Sequence, residues 1–479
     1  MNIKQKAINS TKWSAIQNWT SQILSLLVFL LLARLLQPED FGLVALASVF
    51  VIVLTTLSQQ GFAQAIIQRE DLEPEHLDSA FWINTSIGVI LALGLFFTSP
   101  ILANIFSQPE LSGVLRYLSL TLILNSLTGV HAAILTRKFH FKALALSSIV
   151  SSAVGGCVGI YMAYNNFGVW ALVGQQLSGA VLGVLVIWFA CFWRPGIKVT
   201  YRHCTELFSF GSNILGISLL GLVNRRLPDL LIGGFLGPVA LGIYTIANRV
   251  FTTLTQLLVG TLANIALPTF SRMQSDLGRM RNAYYSAVQL TSIICFPIFT
   301  GVLVTAPDLI PAVFGTQWLE SAAVSQYLMV VGLLHTVSYF NGPMMMALGY
   351  SNIMLRLHLV NTTLNIIAFV VGVHFGIEIV ALAFMLRGLM MFPVGQFVLN
   401  KYAQISFLTL MLNVKGPAIS VLLMAAAVLV VNTLTIDFTV WVRLLLQIGT
   451  GGVVYCVTLF VIDRPVINRV LHLLGIAIK

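Results

Sequence analysis

The feature that most constrains this chain is a succession of long apolar runs with almost no charge inside them. Fourteen can be marked, at about 13–35, 41–60, 79–98, 112–135, 143–164, 168–193, 207–236, 238–268, 283–305, 321–347, 353–374, 377–399, 412–432 and 438–462. Each reaches roughly the 20 residues that a helix needs to cross a hydrocarbon core. Backbone in lipid has no water to bond to. Uninterrupted runs of this length therefore specify helices that satisfy their own N–H and C=O groups, not a barrel. Only 9% of the 479 residues are charged and 58% are hydrophobic, too little charge to cover a water-soluble protein of this size. The sequence predicts an all-α integral membrane protein of about fourteen transmembrane helices. The seventh run is the least regular, because Pro228 interrupts it.

Cationic side chains orient such a chain, since they collect on the cytoplasmic side. With the N-terminus inside, 19 of the 26 lysines and arginines fall in cytoplasmic segments, among them Lys4, Arg69, Arg137, Arg194, Arg279, Lys401 and Arg464. Only Arg34, Arg116 and Arg443 fall outside, and four lie within spans. Both termini are thus expected in the cytoplasm, behind an uncleaved first span. The net charge of +10 reflects this placement and not nucleic acid. The acidic stretch 69–78 (REDLEPEHLD) reads as a solvated turn or short surface helix. The basic stretch 194–206 reads as an interfacial elbow and topology signal. Five scattered cysteines, with no CxxC or Cys/His cluster, indicate neither a disulfide framework nor a metal site.

One turn is written twice. "LLQPEDFGLVAL" (Leu35–Leu46) joins spans 1 and 2, and "FLGPVALGIYTI" (Phe235–Ile246) joins spans 7 and 8. Leu36, Pro38 and Gly42 recur as Leu236, Pro238 and Gly242. A second echo, "FGVWAL" (Phe167–Leu172) and "FGIEIVAL" (Phe375–Leu382), joins spans 5 and 6 and spans 11 and 12. Proline and glycine punctuate helical hairpins everywhere, but two matched turns in the same order point to duplication. The expected organisation is two pseudo-symmetric six-helix lobes, 1–200 and 201–405, followed by two extra helices and a tail in 406–479. Parallel repeats of this kind place a substrate cavity between halves that open alternately. The pattern indicates a transporter.

Three stretches carry a family likeness: "KAINSTKWSAIQNW" near the N-terminus, "LARLLQPEDFGLVALA", and "NRRLPDLLIGGFLGPVALGIYTIANRV" (Asn224–Val250). Through them the chain resembles the polysaccharide-transport (Wzx-type) flippases of the multidrug/oligosaccharidyl-lipid/polysaccharide exporter superfamily, and in particular the colanic-acid-exporter branch. The resemblance implies two six-helix bundles around a V-shaped cavity. It implies movement of undecaprenyl-pyrophosphate-linked oligosaccharide to the outer leaflet of the bacterial inner membrane; the driving force stays open, with proton or sodium coupling as one candidate. It further implies a polysaccharide polymerase and a chain-length regulator as partners, and neither cofactor nor nucleic acid. Related exporters of lipid II or of cationic drugs are the alternatives. A drug exporter would call for more carboxylate and aromatic lining. A glycosyltransferase or polymerase would need a catalytic loop, and connections of about fifteen residues or fewer leave no room for one. No GxxxxGK[ST] loop occurs, so ATP hydrolysis by this chain is not expected.

Ionisable groups inside spans are costly and mark pathways. Arg225, Arg226, Arg249 and Arg387 lie there, with Asp229 as the one carboxylate well inside a span. At 1.5 Å per residue, Arg249 and Arg387 are each about 16 Å from the outer face, near the midplane. The excess of cation would suit a pyrophosphate or uronate headgroup, which the guanidinium fork binds in a bidentate manner. Asp229 is spaced to pair with Arg225 or Arg226, so those three also read as a local ion pair in a Pro228-kinked helix. Asp229 is equally a candidate for ion coupling. Asn18 and Gln22 in span 1, and Asn361 and Asn365 in span 11, are each four apart on one face and are candidate sugar contacts. Such amides also glue membrane helices together. Tyr244, Trp13 and Trp170 could stack on sugar rings or anchor at the interface.

Overall fold

A computed structural model of the chain describes residues 3–59, 62–69, 71–197, 221–222 and 225–464. Among them no strand occurs. The helices are α1 (Ile3–Leu35), α2 (Pro38–Gln59), α3 (Phe62–Gln68), α4 (Pro74–Ile105), α5 (Pro109–Arg137), α6 (Phe141–Tyr164) and α7 (Val169–Ala190). Next come α8 (residues 225–235), α9 (Gly237–Thr255) and, after a π turn at Gln256–Gly260, α10 (Thr261–Ser271). The rest are α11 (Leu277–Phe314), α12 (Glu320–Ser338), α13 (Asn341–Ala347), α14 (Ser351–Gly372), α15 (Ile377–Ala403), α16 (Phe407–Leu434) and α17 (Val440–Ile462). Eleven segments are long and apolar enough to cross a membrane, counting α12 with α13 as one, and α1 adds the shorter apolar stretch Trp19–Leu35. Helices α8 and α9–α10 fall on the two remaining expected spans. Most of 207–236, including residues 207–220, lies outside the described residues. The fold is all-α and spans the membrane about fourteen times.

Local chemistry explains where the helices start. Pro74 opens α4, a position at which its missing N–H costs nothing. Asp276 Oδ1 accepts the Arg279 N–H at 2.9 Å to cap α11, and Ser406 Oγ accepts the Thr409 N–H at 3.4 Å to cap α16. The two "FG" turns both place their glycine at a positive φ. Gly168 (φ +54°) and Gly376 (φ +103°) immediately precede α7 and α15, in a region that side chains with a Cβ rarely enter.

The chain divides into two compact units, Met1–Gly242 and Ile243–Lys479. In the first, α6 packs along α7 and α1, and α5 packs against α2, α4 and α7. Polar contacts reinforce this: Asn84 Nδ2 donates to Ser126 O at 2.9 Å and its Oδ1 accepts from Ser58 Oγ at 3.2 Å, joining α4 to α5 and α2. In the second, α11 packs on α12, α16 and α17, while α15 packs on α12 and α14. Tyr284, Met344, Met345 and Leu399 are buried in its core. Met344 and Met345 thus serve as packing, while the adjoining Met346 is exposed.

Two expectations need correction. Residues 69–78 are not a wholly solvated turn: His76 and Asp78 are buried in the first turns of α4. Asp78 Oδ1 accepts the Gly196 N–H at 2.9 Å, and Trp82 Nε1 donates to Gly196 O at 2.7 Å. The first residues of the basic elbow are therefore clamped to α4, while 198–206 lie outside the described residues. His131 stacks on Trp188 at 4.6 Å beside this clamp, and Arg194 lies over the same Trp188 ring at 5.6 Å. Second, Asp229 is not alone among buried carboxylates, since Asp78 is buried too, and Arg443 has a carboxylate partner that its position did not announce. Arg443 is ion-paired with Asp308 of α11, with side-chain exposures of 17% and 13%. Helix α11 runs on through Pro297, Pro307 and Pro311 to Phe314 and carries Asp308 with it.

Candidate functional site

In the second unit the structure brings together residues that are 26 positions apart in sequence. Arg387 Nη1 donates to Asn361 Oδ1. Ten residues separate Arg387 from the start of α15 and Asn361 from the start of α14, about 15 Å in each case. These helices are antiparallel neighbours across a hydrocarbon core of roughly 30 Å, so the two side chains meet near its middle. The guanidinium also lies over the ring of Phe384, one turn earlier on the same helix, at 4.5 Å from the centroid. Phe384 packs on Phe369 at 5.7 Å, and Phe369 meets the edge of Tyr244 at 6.4 Å. The cation therefore sits on an aromatic platform and is oriented by a neutral amide.

Neither partner cancels the charge, and among the described residues no carboxylate pairs with Arg387. Its Nε is buried with no hydrogen-bond partner, and so is Asn365 Oδ1 one turn along from Asn361. A buried donor without a partner costs about 1–3 kcal/mol. The arrangement offers a fixed positive charge with an unused N–H, beside an amide acceptor that can receive a hydroxyl. Arg249 is half-buried on α9, two turns before the π turn, a feature that recurs at functional positions.

In the first unit, α8 carries a different arrangement. Arg226 Nη1 contacts Asp229 Oδ2 at 3.1 Å, with Arg226 39% exposed and Asp229 11% by side chain. Arg225 is exposed. Of the two pairings open to Asp229, the structure uses the i,i+3 one. In α1, Gln22 is half-buried, and the neighbouring Ser21 bonds Ser148 of α6 at 3.0 Å, a helix-joining contact. The side chains of Asn18 and Trp13 lie outside the described residues. Trp170 meets Tyr117 edge-on at 5.2 Å and so packs against α5.

Two features escaped the sequence reading. The Phe384 platform had a usable signal, an aromatic residue three positions before an intramembrane arginine. The Asp308–Arg443 pair had none, because 135 residues separate its members.

Residues 31–323 match the family described as polysaccharide biosynthesis protein. Over 468 residues, 96% of this chain and 94% of the relative, the chain is 26% identical to the succinoglycan biosynthesis transport protein ExoT of Rhizobium meliloti. It is 27% identical over 375 residues (78% and 76%) to the lipopolysaccharide biosynthesis protein WzxC of Escherichia coli. With the teichuronic acid biosynthesis protein TuaB of Bacillus subtilis it shares 24% over 73% of each chain. Among solved structures, lipid II flippase MurJ superposes with a TM-score of 0.75 at 15% identity, over 95% of this chain and 99% of that one. A multidrug resistance MATE family transporter superposes at 0.63 and 16% identity, over 82% and 99%. At these identities the structural likenesses speak to the fold alone.

Proposed function

Because the chain belongs to the polysaccharide biosynthesis protein family matched by residues 31–323, we propose that it is a flippase for lipid-linked oligosaccharide. It carries an undecaprenyl-pyrophosphate-linked repeat unit from the cytoplasmic to the outer leaflet of the bacterial inner membrane, by alternating access of two six-helix lobes, with both termini in the cytoplasm. The observation that carries the reading is Arg387. A guanidinium held near mid-membrane by a neutral amide and an aromatic ring keeps its charge available for an anion. Guanidinium suits pyrophosphate oxygens because it stays charged and binds two at once. Arg249, Asn361 and Asn365 contribute to the same headgroup contact, while Arg225, Arg226 and Gln22 act earlier or later on its path. Deleting the gene tests the function: a lipid-linked glycan is expected to accumulate on the cytoplasmic side, and its absence would leave the proposal without a substrate.

Asp229 is proposed as the ion-coupling group. It is a buried carboxylate whose Arg226 partner is itself partly exposed, so the pair can exchange with water. Asp229→Asn is expected to remove the dependence of flipping on an imposed proton or sodium gradient in sealed vesicles. An unchanged dependence clears Asp229 of the role and leaves it as a helix-stabilising ion pair.

A further inference from the structure

In the second unit the span made of α12 and α13 is broken at Tyr339 and Phe340. Pro343, the third residue of α13, has no N–H to offer the Tyr339 carbonyl four residues back. Pro393 likewise leaves the Leu389 carbonyl of α15 without its helical donor. In a membrane such breaks persist only where protein or water satisfies the freed groups. Three polar side chains converge beside them. Tyr284 lies seven residues from the start of α11, Asn341 opens α13, and Gln396 lies seven residues from the end of α15. All three are thus about 10 Å from one end of their spans. That end is common to α11 and α15, because Ser406, just past α15, donates its N–H to Tyr285 Oη of α11 at 2.9 Å.

Gln396 is 2% exposed and Tyr284 is fully buried. The Tyr284 hydroxyl donates to Asn341 Oδ1 at 2.7 Å and keeps its own lone pairs for another donor. The Gln396 amide lies next to that hydroxyl without the geometry of a hydrogen bond, and neither its Nε2 nor its Oε1 has a partner within the protein. Stranding both ends of an amide is among the costlier defects a core can hold. The space beside it is open. A Cβ built on Gly395 would meet only Asn341 Nδ2, at 3.7 Å, and one on Gly342 would meet nothing closer than Met354 Cε, at 3.7 Å. Room and converging donors and acceptors are the two conditions for internal water. Helix geometry agrees with the placement. Nine residues, two and a half turns, separate Gln396 from Arg387, so α15 turns Arg387 toward Asn361 of α14 and Gln396 toward its opposite side, where α13 packs.

We propose that Gln396, Tyr284 and Asn341 hold ordered internal water that ties α15 to α11 and α13. The amide both donates and accepts while the Tyr284 oxygen accepts, a mixed set that suits water and not a metal ion, whose neighbours would all be acceptors. The sign of a stability change tests this on the full-length chain in detergent. Gln396→Leu removes both amide groups at similar volume. A stranded amide would make that variant more stable than the parent. An amide bonded to water makes it less stable, and the melting temperature is expected to fall by about 2–4 °C. Tyr284→Phe should cost more in the parent than in the Gln396→Leu background, because both residues serve the same water. A Gln396→Leu chain that melts higher, or losses that simply add, overturn the proposal. Should either variant fail to reach the membrane, an experimental density map of the parent chain that resolves ordered water decides alone. It should show a peak ~2.7–3.2 Å from the Gln396 amide and from Tyr284 Oη. A space without density, or a peak held only by oxygens at ~2.4 Å as a metal ion would be, overturns it. None of these readouts needs a transported substrate, so their failure leaves the flippase reading untouched.

Discussion

Arg387→Ala is expected to reduce flipping by roughly 10- to 150-fold at unchanged membrane level. That range corresponds to the ~1.5–3 kcal/mol carried by a hydrogen bond to a charged group. The effect is large because the side chains touching the guanidinium cannot replace it: Asn361 and Phe384 are neutral, and among the described residues no carboxylate pairs with Arg387. Arg387→Lys keeps the charge but loses the planar fork that spans two phosphate oxygens, so about tenfold of the loss should persist. Asn361→Ala should cost less than Arg387→Ala, since it releases the orientation of the guanidinium and keeps its charge. Outer-leaflet glycan, measured against the amount of protein in the membrane, is the readout. Arg387→Ala and Arg249→Ala chains that both flip at the parental rate would end the cationic-site reading, whatever the fold.

The second large effect concerns stability. Arg443 of α17 is ion-paired with Asp308 of α11, and Gln447 Nε2 donates both to Asp308 Oδ2 and to Asn432 Oδ1 of α16, each at 3.0 Å. This cluster fastens the last two helices to the long α11. Arg443→Met leaves a carboxylate with too few partners in a mostly buried place and should cost about 3 kcal/mol. A lower apparent melting temperature in detergent would register it. Replacing both residues, Asp308→Leu with Arg443→Met, should recover most of the loss, because two matched apolar groups leave no stranded charge. A double variant no better than Arg443→Met alone would show that the pair is not the source of the stability. Flipping by the double variant also separates this fastening role from transport, since neither residue belongs to the Arg387 site.

How far the residues could be read alone differs from feature to feature. The helices follow from the apolar runs because lipid offers the backbone no other partner, a local rule that any stretch of chain obeys by itself. The repeated turn was legible because a turn is also local: glycine at a matched place allows the same class of backbone, as Gly168 and Gly376 show with their positive φ. That Arg249 and Arg387 lie inside spans was legible for the same reason, since depth along a span is counted along the chain.

Partners are another matter. Whether an intramembrane charge is cancelled depends on which helix lies beside it, and that is settled by packing between segments far apart in the chain. Asp229 has a cation within its own turn, and its pairing was foreseen from spacing. Asp308 finds Arg443 across 135 residues, Asp78 holds Gly196 across 118, and Arg387 finds Asn361 across 26; spacing could announce none of them. The sequence by itself determined that this chain crosses the membrane many times, repeats a turn, and carries cations where they are expensive. Only the tertiary structure decided that Arg387 meets a neutral amide and an aromatic ring, that Arg443 is ion-paired with Asp308, and that Gly42 and Gly242 each face the proline of the other copy of the turn. The physical reason is range: backbone satisfaction and desolvation act along the chain, whereas the neutralisation of a charge and the fit of a glycine are decided by whatever packs across from them.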